Sequence, residues 1–139
     1  MIGRGAYFLH CASSGNEIST YHLEAGIAYW STQKPDTREK WEAVLELYNR
    51  LVQIKYSPIA ALNRSFALYK VRGPVMAIQE AEKLNLTHNP FYFSLLGELY
   101  TDIDKEKAII NYKKALPLLN SEISKQVILR KLEKLRHSG

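Results

Sequence analysis

Apolar residues along this 139-residue chain recur mostly at spacings of three and four, the period of one helix face. β-branched alternation is almost absent, and Val occurs only five times. The pattern predicts eight helices, over about 2–13, 19–33, 37–54, 58–71, 74–84, 90–102, 105–118 and 121–136. Ser57-Pro58 and Asn89-Pro90 each set a capping residue before a Pro at the first helical position. Asp36-Thr37-Arg38-Glu39 resembles a capping box with Asp36 in the Ser/Thr role. Ser19 and Asp104 are further expected caps, and Gly73-Pro74 reads as one helix ending where the next begins. Connections are short, which favours antiparallel neighbours.

The helices also repeat. Val44/Tyr48/Leu51, Ala77/Ala81/Leu84 and Ala108/Tyr112/Ala115 share spacings of four and then three, and successive sets lie 33 and 31 residues apart. Pro58 and Pro90 are 32 apart. The preceding helices carry a small residue with a bulky one three later: Gly26/Tyr29, Ser65/Leu68 and Gly97/Tyr100. In this arrangement the small residue allows close approach and the bulky one fills space one turn on. The first pair lies 39 residues before the second, and Ser31–Lys40 supplies the insertion this needs. The set resembles tetratricopeptide-like repeats, whose period is about 34 residues. The copy nearest that pattern is Leu96-Gly97-x-x-Tyr100 followed by Ala108-x-x-x-Tyr112-x-x-Ala115-Leu116. The expected fold class is therefore all-α, a tetratricopeptide-like right-handed solenoid of about eight antiparallel helices. Its helical pairs are 19–54, 58–84 and 90–118. The helix over 121–136, with Ile123, Val127, Ile128, Leu132 and Leu135 on its apolar side, would cap it. An irregular helical bundle with coincident spacings is the alternative.

Composition bounds what such a chain can be. Apolar residues are 46% and charged residues 24%, ordinary for a globular domain and unlike a disordered or collagenous chain. The single Cys11 cannot form an internal disulfide. No apolar run approaches the roughly 18 residues of a membrane span. Ala6–Leu9 is too short for a signal-peptide core and reads as part of the first helix. The net charge of +5 is modest for a nucleic-acid binder.

Catalytic motifs are missing. His10, His22, His88 and His137 show no metal-ligand spacing, and neither a phosphate-binding loop nor a nucleophile elbow is present. Cys11 beside His10 reads as a small core residue. No enzyme activity and no cofactor are expected. Lys125, Arg130, Lys131, Lys134 and Arg136 on the last helix would bind phosphate or simply form a solvated face. In the repeat register, Trp30, Tyr69, Lys70, Glu98 and Thr101 line the groove of the first helices. Aromatics with a few charges there suit peptide or protein recognition, although Trp30 and Tyr69 read equally well as core.

Three stretches stand out together. They are Tyr21-His22-Leu23-Glu24-Ala25-Gly26-Ile27-Ala28, Trp41-x-x-Val44-Leu45-x-Leu47-Tyr48, and Ser57-Pro58-Ile59-Ala60-Ala61-Leu62-Asn63-Arg64-Ser65-Phe66-Ala67-Leu68 with Val71-Arg72-Gly73-Pro74. In order and spacing, from about Ile2 to Leu135, the chain resembles the C-terminal extension of a group of extracytoplasmic-function (ECF) RNA polymerase sigma factors. Pro58, Ala61, Leu62, Asn63, Arg64 and Gly73-Pro74 carry the match. The resemblance implies a cytoplasmic regulatory domain that docks on the sigma domains or on polymerase core. The two promoter-reading sigma domains are not in this sequence, so it would be a fragment of a longer factor, touching promoter DNA only through them. Asn63 and Arg64 are the expected partner-binding residues, or else they hold adjacent repeats together. The other readings are a free-standing peptide-binding scaffold and a basic nucleic-acid binder.

Overall fold

The computed structural model describes residues 15–137. The helix predicted over 2–13, with His10 and Cys11, lies outside the described residues. Within them the fold is all-α: α1 Gly15–Ser31, α2 Arg38–Ile54, α3 Pro58–Arg72, α4 Pro74–Leu84, α5 Pro90–Tyr100, α6 Lys105–Ala115 and α7 Glu122–His137. A short 3-10 turn, Leu116–Leu118, follows α6, where Pro117 lacks the N–H that a continuing α-helix requires. α1 packs on α2, α4 on α5, α5 on α6 and α6 on α7, neighbours in chain order as in an all-α helical repeat.

The chain forms two compact units, residues 1–71 and 72–139. In the first, α1 and α2 run antiparallel: the Gly26 backbone approaches Leu47, while Lys40 Nζ donates to the Gln33 carbonyl just past the end of α1, at 2.8 Å. Leu23, Leu51 and Ala60 bring the three helices to one core, joined by Ile27, Leu47, Tyr48 and Val52. In the second, α5 packs on α4 and on α6, and α7 packs on α6. Ala77, Ala81, Ala108 and Ala115 are fully buried, and Tyr112 nearly so, which matches the predicted stripes. At Gly97 an added Cβ would lie 2.7 Å from the Tyr112 ring, so only a hydrogen there allows α5 and α6 to meet this closely.

Most caps follow the local chemistry. Ser57 Oγ accepts from Ala60 N at 3.2 Å, Asn89 Oδ1 from Phe91 N at 2.8 Å, and Asp104 Oδ1 from Lys107 N at 3.3 Å. Gly73, at φ +91°, separates α3 from α4.

Four expectations are corrected. Thr37, not Asp36, caps α2, its hydroxyl accepting from Lys40 N at 3.1 Å; the Asp36 carboxylate is drawn instead to the Trp41 indole N–H. Ser19 lies inside α1, because no Gly or Pro interrupts residues 16–25 and the helix runs back to Gly15. Tyr29 is 54% exposed, since Leu47 from α2 fills the space over Gly26. Ile123 and Val127 are exposed, while Ile128, Leu132 and Leu135 alone form the buried stripe of α7.

Candidate protein-interaction site

Helix α3 is apolar on most of its circumference. Ala60, Ala61, Leu62, Ser65, Ala67, Leu68 and Val71 are all buried, and the Ser65 hydroxyl satisfies itself on the Ala61 carbonyl at 3.1 Å. What remains toward solvent is the two ends and one edge: Pro58, Ile59, Asn63, Lys70 and Arg72 are exposed, and Arg64, Phe66 and Tyr69 are half-buried. Arg64 Nε donates to Asn49 Oδ1 on α2, and the Asn63 side chain is hydrogen-bonded to the Tyr48 hydroxyl. Burial raises the Tyr48 pKa, and the Asn63 bond opposes that rise. Both residues therefore tie α3 to α2, the second of the two roles expected for them. Asn63 still presents its amide at the surface.

One turn further on, α2, α3 and the α1–α2 connection build an aromatic and charged cluster. The Trp41 and Phe66 rings meet edge-on at 5.5 Å, and Tyr69 lies 6.0 Å from Phe66. The Lys70 ammonium stands 5.7 Å from Trp41, 5.4 Å from Phe66 and 5.7 Å from Tyr69, within cation–π range of all three. Asp36 Oδ2 completes its surroundings at 3.7 Å. Lys40 approaches Trp41 at 5.1 Å. The Trp41 indole N–H lowers the Asp36 pKa most, with Lys70 and Lys40 adding to it, so this carboxylate is ionised throughout the neutral range. Sequence reasoning found Tyr69 and Lys70 but not Asp36, Trp41 and Phe66. The available signal was the four-residue step from Phe66 to Lys70 and the five-residue step from Asp36 to Trp41.

The remaining expected site residues have other surroundings. Trp30 is half-buried and packs edge-on against Tyr29 at 5.5 Å. In the second unit, the Thr101 hydroxyl donates to the Gly97 carbonyl at 2.8 Å and is also bonded to Tyr112. Glu98 is half-buried and its charge helps raise Tyr112, although burial is the main cause of the shift to about 12. A second polar link joins Tyr100 to Glu82, the phenol donating to the carboxylate at 2.7 Å. Burial, then Glu82, pushes Tyr100 up to about 12.

The chemistry on offer is recognition. The cluster presents flat aromatic faces beside both signs of charge, the kind of surface that anchors protein contacts. Among the described residues there is no group of three or more His, Cys, Asp or Glu placed to hold a metal ion, and no helix is long and apolar enough to cross a membrane. No buried side-chain polar atom among them lacks a partner.

No protein-family model matches the chain, and no solved structure matches it. The chain is similar to an uncharacterized protein of Rhizobium meliloti (strain 1021), with 30% identity over 89 residues. That stretch is 61% of this chain and 21% of the relative, so the similarity spans about a fifth of the longer protein.

Proposed function

We propose that this chain is a non-catalytic regulatory domain of an ECF-type RNA polymerase sigma factor. It acts in the cytoplasm by docking on the sigma domains or on polymerase core. The observation that carries the reading is the Ser57–Leu68 block. Its Ala60, Ala61, Leu62, Ala67 and Leu68 are buried by α3, whereas its Ile59 is exposed, and its Asn63 stays at the surface beside the Trp41–Phe66–Lys70 cluster of the same unit. A surface held this firmly by its own hydrogen bonds enters a complex with little ordering to do. Docking that favours one state of the sigma factor by about 1–3 kcal/mol changes its activity roughly 5–150-fold. Promoter DNA is reached only through sigma domains outside this sequence.

The test is direct binding of the purified chain to polymerase core and to a two-domain ECF sigma fragment from the same organism. Saturable binding to one of them is expected, weakened by Asn63→Ala with the circular dichroism spectrum unchanged. Binding to neither overturns the reading.

The Trp41–Phe66–Tyr69 faces favour a second reading, a free-standing peptide-binding scaffold. Immunoblotting of the native product separates the two. A band much larger than 16.0 kDa supports the sigma factor, and one at that mass supports the scaffold.

A further inference from the structure

Helix α7 has two different faces. Ile128, Leu132 and Leu135 are buried and attach it to its unit, and Lys131 turns the same way, its ammonium 5.8 Å from the Tyr112 ring. A second line of residues, Ile123, Val127, Arg130 and Lys134, runs at spacings of four, three and four along another face, and every one is exposed. Ile123 is 78% exposed. The line is apolar over its first half and cationic over its second. Neither Arg130 nor Lys134 has an ion-pair partner among the described residues, and the neighbouring carboxylate of Glu133 faces His137 at 3.9 Å. Arg130, Glu133, Lys134 and His137 border an open depression. Residues 122–137 hold five Lys and Arg against two Glu, a net of +3 out of the chain's +5.

We infer that this face of α7 docks an acidic amphipathic helix of a partner protein. Two apolar side chains one turn apart on the partner cover Ile123 and Val127. Carboxylates one and two turns further along meet Arg130 and Lys134, the Arg fork taking its carboxylate in bidentate fashion. The period of the line is that of a helix, so a helical partner meets all four residues with one stripe of its own. Charge alone would suit a phosphate backbone equally well, but the apolar lead-in selects a protein partner over a nucleic acid. The inference uses α7 alone and is independent of which protein supplies the partner, so it does not rest on the sigma-factor reading.

The probe is a fluorescein-labelled peptide helix whose single stripe carries two leucines one turn apart followed by two glutamates one and two turns further along, titrated with the full chain and followed by anisotropy. Saturable binding that weakens as salt is raised is expected. Ile123→Asp, and separately Arg130→Glu with Lys134→Glu, should each weaken it about tenfold or more, with helicity retained because all three positions are exposed. The charge-reversed variant should in turn bind a peptide with lysines in place of the glutamates. Several outcomes overturn the inference: no saturable binding, equal binding of a peptide of the same composition with its leucines scrambled, or unchanged binding by both variants. Tighter binding of duplex DNA that ignores Ile123→Asp also does, and so does a concentration-dependent dimer that Ile123→Asp abolishes. A chain that binds polymerase core but not the peptide overturns this inference alone.

Discussion

At Gly97 a single methyl group meets three atoms of the Tyr112 ring, all within 2.8 Å. Tyr112 is 2% exposed, so its ring does not lie where it could simply swing into solvent. Gly97→Ala is therefore expected to destabilise the fold by about 1–3 kcal/mol through overpacking. Gly26 makes a control. Its nearest neighbour is Leu47 Cδ1 at 3.1 Å, the far end of a flexible side chain. There the helix-propensity gain of about 1 kcal/mol for Ala offsets the crowding. Thermal melts of the two variants should separate clearly, with Gly26→Ala close to the parent protein. Tyr100 and Tyr112 carry a pH dependence. Both are raised from 10.0 to about 12, so the folded protein holds phenol protons that the unfolded chain releases. Their contribution to stability is complete below pH 10.0 and is lost as pH climbs through about 12. Tyrosinate absorbance should show a late class that ionises as helicity disappears, and Tyr100→Phe should shrink it. Ordinary titration of every tyrosine with the helices intact would refute the burial argument.

Among the elements, local signals were legible wherever the partner is also local. Ser57, Asn89 and Asp104 cap their helices as the sequence predicts, because each bonds an amide two or three residues on. The Asp36 expectation failed for the opposite reason: its carboxylate finds the Trp41 indole and the Lys70 ammonium, and the second of these lies 34 residues away. Thr37→Ala should accordingly lower stability by about 1 kcal/mol, the usual cost of a lost cap. Asp36→Ala should leave the melting temperature nearer the parent value while altering Trp41 fluorescence. Periodicity groups residues on a face but does not say whether that face is covered. It placed Ala77 with Ala81 and Ala108 with Tyr112 correctly, and it misjudged Ile123 and Val127. The same limit applies to the candidate site. Tyr69 and Lys70 were visible on their own helix, whereas Trp41 and Asp36 reach them only through the packing of α2 on α3.

For the whole molecule, the ion pairs Arg38–Glu42, Arg50–Glu46 and Lys83–Glu80 are mostly solvated, so stability comes chiefly from apolar burial. That burial is organised within each unit. The second holds Leu96, Leu99, Tyr112, Ile128 and Leu132 in its interior. Residues 72–139 produced alone are expected to remain helical and to melt cooperatively, though at a low temperature for so short a chain. Circular dichroism with a thermal scan checks this, and a coil spectrum would mean that the second core needs residues of the first unit. The sequence repeat was legible at this scale because stripes recur at nearly constant intervals. The division into two units was not, because no change in composition marks residue 72.

Gly73 combines φ +91° with empty space, since a Cβ there would meet nothing within 4 Å. The obstacle to any ordinary side chain is thus handedness rather than volume. A residue of the opposite chirality reverses the argument. D-alanine placed at position 73 by chemical ligation takes this backbone as its own preferred conformation. It also has fewer unfolded conformations than glycine, so it should raise stability by about 0.4–1 kcal/mol, whereas L-alanine at the same place should lower it. The junction between α3 and α4 is therefore a place where a mirror-image building block outperforms every chiral residue the ribosome supplies.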